Sequence, residues 1–267
     1  MQMFLEYDFM RNAVFAMFLL SVIAGIVGTY IVVRRMVFVA GGITHASFGG
    51  IGIAYYLGMS PIVGALVFAV LTALGAECLG CKARVRTDSA IAMLWSLGMA
   101  VGVIFMFLTP GYAPNLMGFM FGDILAVSDV DVVSLLIMAL IVICGALLFY
   151  RPIMYTSFSP AYARIAGWRV RLISSLMSVV VAVAIVLSIK AVGIVLILSM
   201  FTIPQSIANF FVGRLNRMMI LSTIISVVGG MAGLAIAVML NLPVGAVVTA
   251  FLVILLIIIR LIIKIKK

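Results

Sequence analysis

The chain has 267 residues, of which 67% are apolar and 9% charged, against roughly half apolar and a quarter charged in soluble domains. That composition excludes a water-soluble globular enzyme and describes a chain that lives in a bilayer. Seventeen Lys and Arg against seven Asp and Glu give a net charge of +10, but the basic residues cluster between apolar runs as cytoplasmic loops do, so no nucleic-acid partner is implied.

A spanning helix consumes about 20 residues, so nine would use roughly 180 and leave little outside the membrane. The longest stretch without a spanning-length run is 150–171, too short for a soluble catalytic domain. The expected fold is all-α, a polytopic membrane protein with eight or nine transmembrane helices and a single transmembrane domain over 1–267. Its energy source must be a gradient or another subunit.

The N-terminus, with Glu6, Asp8 and Arg11, lacks the basic start and cleavage site of a signal peptide, so the first apolar run stays as a helix at 12–32. The pair Arg34 and Arg35 precedes a second span at 37–58. A third runs over 61–81, with Lys82, Arg84 and Arg86 after it, and a fourth over 89–108. The segment 116–127 is apolar, contains Asp123 and is too short to cross. A short re-entrant or interfacial helix flanking a pathway is expected there. The fifth span is predicted at 131–150, followed by a basic insert up to Arg171. The remaining spans fall at 172–189, 192–212, 218–240 and 243–262. Basic residues at every second connection place those ends in the cytoplasm, with the N-terminus outside and the C-terminus inside if all nine cross.

His45, the one histidine, lies inside the second span, where an ionisable residue suggests function. Gly41, His45, Gly49 and Gly52 share one helix face, and a glycine face implies close helix packing. Thr44 and Ser47 add hydroxyls beside it. His45 is either on a translocation pathway or a satisfied core histidine. In the seventh run Ser199, Thr202, Ser206 and Asn209 form a stripe, with Gln205 beside it and Pro204 able to kink the helix. That stripe either glues helices together or lines a polar route.

In the cytoplasmic insert, Ser159, Pro160, the stretch 161–166 and Gly167 read as N-cap, first-turn proline, short helix and glycine stop. Tyr162 and Ile165 stand three apart on one side with Arg164 off it, which suits docking into a partner's groove or lying on the membrane surface. Cys78 and Cys81 form a CxxC after Glu77. Without a second ligand pair this reads as buried small hydrophobes rather than a metal site. No GxxxxGK[ST] or HExxH occurs, so neither a Walker nucleotide site nor a zinc-protease site is expected.

Several motifs in order resemble the zinc, manganese and iron permease family of ATP-binding-cassette importers. They are Arg34 and Arg35 followed by the SHAS-type stretch 41–52; Thr87, Asp88, Ser89, Ala90 and Ile91; the segment 116–127; the insert 157–167; and 192–204. The resemblance implies the membrane subunit of an importer in the bacterial cytoplasmic (inner) membrane. It would be built from two permease copies and two cytoplasmic ATPases, usually with an extracellular metal-binding protein, and would use alternating access. The implied cargo is a divalent transition metal (zinc, manganese or iron) or a metal chelate, with no permanently bound cofactor and no enzymatic activity in this chain. Pro160, Ala161, Tyr162, Arg164, Ile165 and Gly167 then look like the coupling helix that enters the ATPase. Family members carry an aspartate four residues before the motif histidine, where this chain has Gly41. The resemblance leaves Asp123 as a candidate carboxylate. The alternative is a proton-coupled secondary transporter with His45 and Asp123 as the titrating pair.

Overall fold

The computed structural model describes residues 8–82, 87–110 and 122–265, and side chains are described for all of these except 79–82 and Thr87. Every regular element among them is helical, as expected of backbone that must satisfy its own hydrogen bonds in lipid.

In chain order α1 is Asp8–Val33, α2 Val37–Tyr56, α3 Pro61–Lys82, α4 Thr87–Leu108, α5 Asp129–Leu148, α6 Tyr150–Phe158 and α7 Pro160–Ile165. They are followed by α8 Val170–Met200, α9 Ile203–Asn209, α10 Leu215–Leu240 and α11 Val244–Ile265. Among the described residues, eight helical bodies are long and apolar enough to cross a membrane.

The sixth and seventh predicted spans are not separated by a loop. They form one 40-residue body, Val170–Asn209, about twice a single crossing. It is interrupted at Gly193, whose φ of 79° and ψ of 170° are not helical. The predicted short helix at 116–127 also differs. Its first residues lie outside the described ones, and the rest is one 3-10 turn, Ile124–Ala126, behind Gly122 at φ 60°.

The chain falls into two compact units. One comprises Met1–Arg34, Met117–Tyr150 and Ser188–Lys267; the other comprises Arg35–Leu116 and Arg151–Leu187.

In the first unit α1 is the buried centre, with Met17, Leu20, Ile23, Tyr30 and Ile31 almost fully enclosed. Its residues Ala24–Gly28 form a π-helical stretch, a local widening that releases carbonyls from the regular ladder. Gln205 Nε2 donates to the Ala24 carbonyl at 2.6 Å, and Ser222 Oγ donates to the Gly25 carbonyl at 3.0 Å. The hydroxyls of Thr29 and Ser222 meet at 3.0 Å. At the outer end Asn12 Nδ2 donates to Asp129 at 2.7 Å and Lys190 pairs with Asp131. Ser199 meets Thr249 at 2.8 Å further in. The arm after Gly193 therefore descends from the outer end beside α1 and α11 towards the basic end at Arg214.

In the second unit α2 lies against α3 and α4 through glycines. A Cβ added at Gly49 would lie 2.7 Å from the Gly98 carbonyl oxygen, and one at Gly52 would lie 2.8 Å from Cα of Gly102. Gly50 and Gly64 face each other across α2 and α3 in the same way. Backbone contact this close replaces the hydrophobic drive that is absent between helices in lipid.

Candidate translocation site

His45 sits in the middle of α2, half-buried, where its ring stacks on Trp95 of α4. The centroids are 4.3 Å apart and the planes 5° from parallel. Phe38 extends the aromatic group, tilted against Trp95 at 6.1 Å. The stack is possible because the glycines at 49 and 98, on the same faces as the two rings, bring the helices into contact. Stacking occupies the face of the imidazole, and both ring nitrogens, which lie in its plane, are not committed by it.

Thr44 and Ser47 are fully buried. Their hydroxyls turn back onto their own helix, Thr44 Oγ1 to the Ala40 carbonyl and Ser47 Oγ to that of Thr44, both at 2.7 Å. The stripe on the arm after Gly193 behaves alike. Thr202 Oγ1 donates to Leu198 and Ser206 Oγ to Thr202, each at 2.7 Å, and Asn209 is exposed at the end of α9. Ser199 bonds across to Thr249, and Gln205, outside the predicted stripe, makes the cross-helix bond to α1. Glue between helices is what these contacts provide.

Asp123 is the exposed N-cap of the 3-10 turn, its carboxylate accepting from the Leu125 amide at 3.0 Å. It belongs to the first unit and His45 to the second. Among the described residues no group of three or more His, Cys, Asp or Glu side chains is arranged to hold a metal ion. Cys78, expected to be buried, is free and exposed, as is Cys144. The side chain of Cys81 lies outside the described residues.

The cytoplasmic insert folds as its sequence predicts. Ser159 accepts from the Tyr162 amide, and Pro160 opens the helix. Gly167, at φ 81°, closes it, with its own amide on Arg164 and that of Trp168 on Ala163, the paired bonds of a Schellman stop. Ala163 is buried, whereas Tyr162 and Ile165 are 52% and 87% exposed. Tyr155 of α6 braces Tyr162 edge-on, centroids 5.2 Å apart.

The profile of the ABC 3 transport family matches residues 6–263. The chain belongs to that family. Relatives of this ABC 3 chain include the manganese transport system membrane protein MntC of Halalkalibacterium halodurans, 32% identical over 91% of this chain and 83% of the relative. Another is the manganese import system permease protein ScaB of Streptococcus parasanguinis, 31% identical over 90% and 86%. Among solved structures, PsaBC from Streptococcus pneumoniae in complex with Fab superposes with a TM-score of 0.86 at 25% identity, covering 98% of this chain and 97% of that one. As a member of the ABC 3 transport family it is a multi-pass membrane protein, the permease subunit of a bacterial transport system.

Proposed function

We propose that the chain imports a divalent transition metal, manganese before zinc or iron, as a pair of identical permeases coupled to two cytoplasmic ATPases and supplied by an extracellular metal-binding protein. ATP hydrolysis is assigned to the partner, because this chain carries no phosphate-binding glycine loop. His45 is assigned to the metal route, with Thr44 and Ser47 beside it on the same helix. The insert from Pro160 to Gly167 is assigned to docking on the ATPase. The manganese-named relatives support the choice of metal.

One observation carries the reading: the single histidine stands mid-span, in the same unit as a short helix with exposed apolar side chains. Imidazole is a ligand for transition metals when neutral. One imidazole cannot complete a coordination shell, so water, backbone carbonyls or residues from other elements complete it as the ion passes.

The test is purification of the native complex in mild detergent, with its subunits and metal identified by mass spectrometry. A separate ATPase should accompany the chain. Replacing Tyr162 and Arg164 by Ala together should leave a folded permease whose partner hydrolyses ATP without uptake. A chain that purifies alone and transports alone would contradict the reading.

A further inference from the structure

The second unit holds a carboxylate that neither the metal route nor the docking helix uses. Glu77 lies near the cytoplasmic end of α3 and is only half-buried, yet both of its oxygens are taken. Ser174 and Ser178 donate to Oε1 at 2.8 and 2.7 Å, and Ser175 donates to Oε2 at 2.8 Å. All three serines lie in the first turns of α8, which follows directly on the insert. A helix in lipid gains nothing from a serine triplet by propensity, and hydrogen bonds to a charged acceptor are the strong ones. The cage is therefore a tie between two particular elements.

Those elements are informative. On one side the serines stand nine to thirteen residues after Ile165, at the exit of the docking insert. On the other, α3 touches α2 backbone to backbone at Gly64 and Gly50, little more than one helical turn from His45. We propose that Glu77 is a positioning residue of the transport cycle: by holding Ser174, Ser175 and Ser178 it makes α3 and the start of α8 move as one piece, so that displacement of the docking insert reaches the helix that carries His45. The inference rests on the proposed function for the meaning of that displacement, but the tie itself is a property of this unit.

The experiment uses the co-purified complex in proteoliposomes with Mn2+ as the probe, and reads Mn2+ taken up per ATP hydrolysed. Glu77→Ala should lower that ratio by roughly tenfold, within the usual range of coupling between sites, while the ATPase stays bound and active. The triple change Ser174→Ala, Ser175→Ala and Ser178→Ala should reproduce the loss, whereas Glu77→Gln, which keeps one acceptor oxygen, should restore part of it. A purely structural role would lower uptake and hydrolysis together; an unchanged ratio in Glu77→Ala and in the triple variant overturns the proposal. A second readout does not depend on transport. Spin labels at Leu71→Cys and Leu172→Cys, both exposed positions, in a chain with its native cysteines replaced by Ala, should give one narrow distance that broadens when Glu77 is Ala. If the wild-type complex shows no ATP-coupled uptake, the importer reading fails and this distance alone decides: a distribution unmoved by Glu77→Ala overturns the tie.

Discussion

His45 and Trp95 show how a single ring can be held without a hydrogen-bond partner of its own helix. Parallel stacking fixes the imidazole plane, and the glycines one turn on set the depth of the stack. His45→Ala should abolish Mn2+ uptake while membrane insertion and complex assembly persist, and uptake assays on membranes of known expression level measure this. Unaltered kinetics would return His45 to a packing role. Gln205 is a different case, a side chain whose amide donates to the Ala24 carbonyl in the π-helical stretch of α1 and to the Met200 carbonyl. Gln205→Leu should cost about 1–3 kcal/mol, since it strands a buried acceptor, and should lower the thermal unfolding midpoint in detergent. The role of His45's face was legible from its glycines. Trp95 was legible in principle too, because Ile91, Trp95, Gly98 and Gly102 share a face of α4, but no periodicity says which helix meets which. Gln205 stood out beside the polar stripe, but its partner on α1 could not be found from sequence, because a π-helical widening leaves no local signature.

At the scale of elements, hydropathy placed seven of the nine predicted spans to within a few residues, and the short helix of the insert was written in Ser159, Pro160 and Gly167. The boundary that failed lies at 190–193, where Lys190 and Gly193 imitate a loop. In the structure helical hydrogen bonding continues up to one glycine in a conformation that only glycine adopts without strain, and Lys190 is satisfied by Asp131. Gly193→Ala should therefore be destabilising by about 1–3 kcal/mol. Gly145→Ala, at a helical position with nothing within 4 Å of the added Cβ, should be neutral or stabilising by up to about 1 kcal/mol. Parallel melting curves of the two variants measure the contrast; equal effects would contradict the assignment of Gly193 as a strained break.

For the whole molecule, large apolar side chains stand exposed along α5 and α11, among them Ile137, Leu140, Ile141, Ile254, Ile258 and Leu261. In water such a surface would aggregate, whereas a bilayer covers it. Composition predicted this surface from the outset. What composition could not supply is the division into two units, which cuts α8 and joins segments far apart in sequence. That joining puts His45, its stacking partner, the Glu77 tie and the short helix of the insert in one unit. The central claim is that this chain carries metal only when a partner ATPase works. It is tested most directly by Mn2+ uptake into proteoliposomes holding the purified complex, with ATP present or withheld and with an imposed pH gradient as the alternative drive. The account predicts uptake that requires ATP, is lost in His45→Ala and is indifferent to the pH gradient; uptake driven by the gradient without ATP would contradict it.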